Sequence, residues 1–457
     1  MNTYINRLGL LMLGGFMGLT NYSVGQTDSG RSGFSLPGGK EIYKPKEFSG
    51  QDWNSDTSRY SYKRMVCTEN IAIFWEKGFG DNVTTPPDLE GHAMAVDLEN
   101  LKRQLEKFYT FYRDSLQFVQ PGSRSEKYRM MAMLQYSLEG TAYGGDYDQV
   151  IGAFWASPNR LQDPRLNAVA HELGHSFQLQ LIADGDGVAW GGNGIFEMGA
   201  QWMLWHVNPH WIDDETYHWE AFKKATHKAF LHGENIYRSP YVLEYWSENH
   251  GLPFIGEMFR EGKKGEDPVM TYQRLENLSQ EQFNDKMFDA YQHLINFDFK
   301  RVYSVTRKWA NSFPDFRKNM EDKGKGWLQV RKEQCPENYG FNAIRLKVPE
   351  AGSAVKVDFR GLTDAEGYEL SHAAKAGWRY GFVAITEDGQ AIRGDVCRDR
   401  NGKVVFKTPK DRKLNDLWLV IMGAPTEHWM NPGGRRGQKE TDAQWPYQIR
   451  VSGSEVL

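Results

Sequence analysis

The run His171-Glu172-Leu173-Gly174-His175 constrains this chain more than any other feature. On a helix, positions i and i+4 lie about 40° apart around the axis, one turn apart on the same face. Two imidazoles so placed reach a single Zn²⁺ at roughly 2.0–2.1 Å. Glu172 is turned about 100° from His171, too far to join that pair and well placed to take a proton from a water held there. The flanking residues supply the helix. Asp163-Pro164 reads as an N-cap followed by the residue best tolerated in a first turn. Leu166, Val169, Ala170, Leu173 and Phe177 then recur at helical spacing. The predicted helix therefore has an apolar face to bury beside its histidine face, and it ends near Ile182, before Asp184-Gly185-Asp186-Gly187.

A catalytic zinc needs a third protein ligand and one open position. A further histidine six residues past His175, the metzincin arrangement, is absent, because Leu181 stands there and Gln178 takes the place of that pattern's glycine. Beyond a glycine-rich loop, Gly194 to Val207 carries apolar residues spaced for a second helix, ended by Asn208-Pro209. Glu197 is the lone acid among Ile195, Phe196, Met198, Trp202 and Leu204, where a carboxylate is costly unless paired or bound to a metal. It is the preferred third ligand. The alternatives are a Glu197 on the solvent side of its helix, and ligation by Asp184 or Asp186. The Asp184-Gly185-Asp186-Gly187 loop is not an EF-hand, since Ile195 occupies its twelfth position.

The set His171, Glu172, His175 and Glu197, the last in a helix reading Glu-Met-Gly-Ala, is similar to the gluzincin metallopeptidases. The resemblance implies two helices giving His, His and Glu to one zinc per chain, with Glu172 as the base. Gly152-Ala153-Phe154-Trp155 resembles the edge strand along which a gluzincin substrate pairs. Over residues 60 to 450 the chain resembles secreted HExxH proteins known only as a domain of unknown function. The likeness rests on HELGHSFQ, the Phe196-Glu197 helix and the segment Gly377-Trp378-Arg379-Tyr380-Gly381-Phe382. Enhancin-like, mucin-degrading peptidases are a more distant likeness. One departure stands out. Thermolysin-type enzymes place Asp four residues after the ligating Glu, and here that position is Gln201.

The rest of the chain sets this motif in an exported, two-part protein of α+β class. Arg7 precedes a short apolar stretch from Leu8 to Leu19, and Ser23-Val24-Gly25 offers small residues for cleavage, so residues 1–25 read as a signal peptide. The expected location is secreted or periplasmic, with no membrane span. Residues 26–58, rich in Gly, Ser, Asp and Lys, read as a mobile lead-in. A zinc-peptidase-like domain is expected over 59–322, with strands at Ile71–Trp75, Tyr128–Tyr136 and Val150–Trp155 and a long helix from Met94 to about Val119. Further helices are expected at Tyr217–Leu231, Tyr241–Asn249 and Gln280–Phe297. Lys323-Gly324-Lys325-Gly326 reads as the boundary, followed over 327–457 by the alternating runs of a β-sandwich.

A net charge of −4 speaks against nucleic-acid binding, and Lys263-Lys264 and Arg435-Arg436 are too short to change that. Of three cysteines, Cys335 and Cys397 could pair in an oxidising compartment, leaving Cys67 free. With 15 Trp and 22 Tyr, some aromatics are available to line a cleft or a sugar-binding face. The expected activity is hydrolysis of extracellular polypeptides or glycoproteins, with glycan contact through the C-terminal part. Bound zinc acidifies a water and polarises the scissile carbonyl, and Glu172 carries the proton to the leaving amine. The oxyanion donor stays open among Tyr241, Tyr245, His206, His218 and His227. Two other readings compete: a glycan-binding or adhesion protein with a vestigial zinc fold, and a zinc hydrolase of non-peptide amides or esters.

Overall fold

Among the described residues, five strands and three α-helices build the first of two units into which the chain divides, up to Thr110 and from Gln120 to Asp184. The computed structural model describes residues 37–187, 190, 194–430 and 443–457. The expected signal peptide, the start of the lead-in and Arg435-Arg436 lie outside the described residues.

The sheet of this unit contains β1 (Met65–Cys67), β2 (Ile71–Trp75), β3 (Met130–Leu134), β4 (Ala142–Tyr147) and β5 (Ile151–Ala156), in the order β1-β2-β3-β5-β4. β2, β3 and β5 run parallel and are buried along nearly their whole length, as a sheet covered on both faces requires. β4 pairs antiparallel with β5 and forms one edge, β1 the other. The sequence reading placed the edge at Gly152–Trp155. That strand, β5, is interior, and the edge belongs to Ala142-Tyr143-Gly144-Gly145-Asp146-Tyr147. Its glycine pair and missing apolar alternation hide it from a propensity reading.

α1 (Leu98–Thr110) covers half of the predicted long helix, and the backbone goes on as a π-helical turn, Phe111–Ser115. α2 (Arg124–Lys127) is one turn, capped by the Ser123 hydroxyl. The motif helix, α3, spans Asn167–Asp184 and starts three residues beyond Pro164. Asp163 still caps it, its carboxylate accepting from the Asn167 N–H at 3.2 Å. Leu173 and Phe177 are fully buried, and Phe177 packs on Tyr109 of α1 at 5.0 Å between ring centres.

Residues 37–58 correct the expectation of a mobile lead-in. The Glu41 N–H bonds the Lys127 carbonyl at 2.9 Å, Tyr43 donates to Asp148 at 2.8 Å, and Trp53 is 4% exposed against Phe74 of β2. Tyr43, Phe48 and Trp53 are anchors that a Gly- and Ser-rich average conceals.

The second unit, Phe111–Val119 with Gly185–Leu457, is helical first and then all β. α4 (Ile195–Val207), α5 (Trp211–Asp214) and α6 (Thr216–Phe222) are followed by turns as far as Pro240. The helix expected to reach Leu231 stops at Phe222. Beyond it, the Glu337 carboxylate takes the Ala229 N–H at 2.8 Å and the Asn235 side chain takes the Ala225 carbonyl at 2.9 Å. These side-chain bonds replace the helical ladder. α7 (Tyr241–His250), α8 (Phe254–Glu261), α9 (Pro268–Leu275), α10 (Gln280–Ile295) and the single turn α11 (Tyr303–Thr306) complete the helices.

The strands are β6 (Met320–Asp322), β7 (Trp327–Val330), β8 (Phe341–Leu346), β9 (Ala354–Gly361), β10 (Trp378–Thr386), β11 (Ala391–Cys397), β12 (Asn401–Lys407), β13 (Leu414–Gly423) and β14 (Tyr447–Ser452). They form two antiparallel sheets, β11-β10-β13-β8 and β12-β9-β14-β7-β6. Both sheets contribute to one apolar cluster that includes Ile344, Val357, Phe359, Phe382, Leu419 and Ile449. β9 alternates buried and exposed residues. β10 is buried throughout, because α10 covers its other face, Gln292 bonding the Phe382 carbonyl at 3.5 Å. Lys323–Gly326, read as a boundary, is the hairpin turn between β6 and β7, so this sheet begins before residue 327. All three cysteines are free, so Cys335 and Cys397 are not paired.

Candidate metal centre

Close contact between α3 and the outer two strands sets the geometry of the motif. A Cβ on Gly144 would lie 2.2 Å from the Glu172 carbonyl and 2.5 Å from the His175 Cβ; one on Gly152 would lie 2.5 Å from the Ser176 carbonyl. Only glycine permits strands β4 and β5 to approach the helix that far. Side chains then fasten it. Ser176 donates to the Ala153 carbonyl at 2.8 Å, and the Gln180 carbonyl oxygen accepts from the Gly152 N–H at 2.8 Å.

On that helix the Nε2 atoms of His171 and His175 stand 3.1 Å apart. Two nitrogens roughly 2.05 Å from one ion at the tetrahedral angle would be about 3.3 Å apart, so the two rings point at a common centre as a shared ion requires. Nδ1 of His175 lies 2.9 Å from Oε1 of Gln178, which is fully buried. An amide oxygen only accepts, so the proton of His175 sits on Nδ1 and its Nε2 lone pair faces the centre. Gln178, which stands where a metzincin pattern has glycine, is thus the partner that selects the tautomer. An amide at i+3 on the same helix face is the signal that would have found it.

Glu197 completes a His-His-Glu group. One ligand atom from each of His171, His175 and Glu197 lies within 4.8 Å of the others. Gathering them on one ion needs a contraction of at most about 1.5 Å. The donor set, two neutral imidazoles and a carboxylate, suits a borderline ion such as zinc better than calcium or magnesium, which prefer all-oxygen shells. Glu172 is half-buried, and among the described residues its carboxylate makes no hydrogen bond or ion pair.

Asp184 is committed elsewhere. Its carboxylate accepts from the Arg124 N–H at 2.9 Å, from Ser123 and from Gln180. Asp186 is exposed. Gln201 is 3% exposed and donates to the Tyr237 carbonyl at 3.0 Å. Of the residues considered for an oxyanion donor, Tyr241 is buried in an aromatic cluster with Trp205, Trp219 and Phe222, and burial pushes its phenol far above its ordinary pKa. Tyr245 donates to Asp289. His206 faces Glu244 at 3.1 Å, and His218 faces Glu215 at 3.2 Å. Tyr245, His206 and His218 thus face acidic partners, whereas the buried Tyr241 hydroxyl has no hydrogen-bond partner among the described residues.

An α+β chain carrying a helix-borne His-His-Glu group is the class that fold and side chains define. The chain belongs to a family of unknown function, DUF6055, whose model matches residues 35–457. No curated protein matches it. Solved structures with a distant likeness include the catalytic module of the metalloprotease ZmpA from Clostridium perfringens, 12% identical, covering 79% of this chain and 68% of that one, with a TM-score of 0.33. Another is the M60 catalytic domain of ZmpC from Clostridium perfringens in complex with the sialyl T antigen. It is 13% identical, with 82% of this chain and 69% of that one covered and a TM-score of 0.29. Likeness at this level carries no weight for the activity of the present chain. Among the described residues no helix is long and apolar enough to cross a membrane.

Proposed function

We propose that this chain is an exported, zinc-dependent metallopeptidase of gluzincin-like fold that hydrolyses peptide bonds in extracellular proteins or glycoproteins. His171, His175 and Glu197 are its metal ligands and Glu172 is its base. The C-terminal sheets, from Met320 on, form an accessory β-sandwich. The observation that carries the reading is the pair of imidazole nitrogens 3.1 Å apart, with a carboxylate from α4 beside them. When bound, zinc activates a water and polarises the carbonyl of the scissile bond. Glu172, whose oxygens have no donor among the described residues, takes the proton and gives it to the leaving nitrogen. Strand β4, at the edge of its sheet, offers backbone N–H and C=O groups to an extended substrate.

Metal analysis and cleavage of a mixed protein and mucin substrate test the proposal. The expected outcome is one zinc per chain and cleavage that stops with a chelator and returns with zinc. A metal-free pure protein, or cleavage that survives chelation, ends it. A second measurement concerns Gln178. Gln178→Ala should weaken zinc binding by about 10–100-fold in competition with a fluorescent chelator, whereas Gln178→Glu, which also accepts from Nδ1, should retain most of the affinity.

A further inference from the structure

We propose that the second unit carries a binding site for a neutral saccharide, in an open depression of about 480 Å³ between α9, the start of α10 and the segment after β13. The size suits a small ligand. Gln273, Gln280, Glu427, His428 and Trp429 line it, together with Met270 and Met430 at its rim.

The polar wall is fixed by a hydrogen-bonded chain that runs in one direction. Asp267 and His428 are nearly buried side chains, and the Asp267 carboxylate accepts from Nε2 of His428 at 2.7 Å. Nδ1 of His428 then accepts from the Tyr339 hydroxyl at 3.0 Å, and that oxygen accepts from Nε2 of Gln280 at 3.1 Å. A second anchor fixes the other end. Asn284 donates to the Pro425 carbonyl at 2.8 Å, so its amide oxygen accepts from the same Gln280 nitrogen at 2.9 Å. Gln280 must therefore turn its oxygen to Gln273, whose Nε2 donates to it at 3.1 Å. Among the described residues, the carbonyl oxygen and second N–H of Gln273 have no partner. One oxygen of Glu427 pairs with Lys375 at 3.0 Å, and the other has no partner among the described residues.

Trp429 supplies the apolar surface. Its indole is stacked on His372 at 4.2 Å between ring centres and braced by Trp445 at 5.9 Å, so it is held before any ligand arrives. Among the described residues, no Lys or Arg lines the depression. Free acceptors beside an indole suit a ligand that brings several O–H donors and a C–H face. Lys375, behind the wall, pairs with Glu427 and lies 5.9 Å from the centre of the Trp429 ring, so the selection against phosphate, sulfate and carboxylate rests on the acceptor oxygens of Gln273 and Glu427 that face the depression and call for O–H donors. A neutral hexose or N-acetylhexosamine unit fits both conditions; a sialylated or sulfated one does not.

Calorimetric titration of the full chain with methyl glycosides of neutral hexoses and N-acetylhexosamines tests this, with sialyl and sulfated sugars, nucleosides and short peptides as further arms. A neutral saccharide should bind with a Kd of about 1 mM or tighter, and Trp429→Ala and Gln273→Ala should each weaken it at least about tenfold while the melting curve is kept. His171→Ala should bind the sugar as the wild type does, which separates this site from the metal centre. The proposal is overturned if no neutral saccharide binds at about 50 mM, if either variant with an unchanged melting curve binds as the wild type does, or if an anionic sugar, nucleoside or peptide is preferred. A variant that does not melt as the wild type does is replaced by the milder Trp429→Leu or Gln273→Met, each of which should likewise weaken binding at least about tenfold.

Discussion

Glu172→Gln is expected to leave zinc bound and to lower peptide hydrolysis by about three orders of magnitude. Glutamine has the shape of glutamate, so the packing of α3 against β4 and β5 should not change. What is lost is the ability to accept a proton. The carboxylate is half-buried and has no hydrogen bond or ion pair among the described residues, so no structural bond is broken by the substitution. A residue that served stability would have found a partner in such a setting. The loss corresponds to about 4 kcal/mol of transition-state stabilisation, large enough to separate a base from a bystander. Steady-state cleavage and metal content, measured on the same preparation, check it. Full activity in the variant would remove Glu172 from the chemistry. Bound zinc in both proteins, with no substrate ever cleaved by the wild type, would favour a binding protein that has kept a metal-peptidase fold.

How far this arrangement could be read from residues depends on what each residue was selected for. β2 matches its expected bounds because Ile71-Ala72-Ile73-Phe74-Trp75 is buried on both faces, and burial of that kind leaves an uninterrupted apolar run. The grouping of His171, His175 and Glu197 was legible for a related reason: two histidines at helical spacing and one acid in an apolar helix are each hard to explain alone. β4 was not legible. Gly144 is required by the approach of the Glu172 carbonyl, a contact between segments far apart in the chain, and the glycine that permits it erases the local strand pattern. Residues 37–58 differed from the reading for the opposite reason, since a few aromatics in a polar stretch decide whether it packs. The helix that stops at Phe222 lost to tertiary side-chain bonds from Glu337, over a hundred positions away, that no window of sequence contains.

Arg301→Met should destabilise the second unit by about 3–5 kcal/mol, lowering its thermal midpoint by on the order of 10 °C. Arg301 grips Glu244 of α7 through two bonds, 2.7 and 2.9 Å, and donates to the Trp205 carbonyl in α4 at 3.0 Å. Glu244 is 2% exposed. Burial on its own raises such a carboxyl, but Arg301 and His206 outweigh that and hold its pKa at about 2. Without the guanidinium, a buried carboxylate is left uncompensated, which is the costly half of a buried pair. The sign with pH follows. A folded pKa of about 2 against an ordinary 4.5 gives stability that is whole above 4.5 and lost as pH falls towards 2. His206 adds to the acid sensitivity, because burial first and then Arg301 hold its pKa below 6.5, so the unfolded chain takes up that proton sooner. The wild type should therefore weaken from about pH 6.5 downward, and more steeply below about 4.5. In Glu244→Gln/Arg301→Met, which removes both charges, most of the loss should be recovered. Melting curves of the wild type, Arg301→Met and the double variant between pH 3 and 8 measure this, and a single Arg301 variant as stable as the wild type would mean that α4 is held by packing alone. α4 carries Glu197 two turns above Trp205, so the same substitution should also loosen zinc binding, and an unchanged metal affinity in a destabilised variant would confine the ion pair to holding the fold.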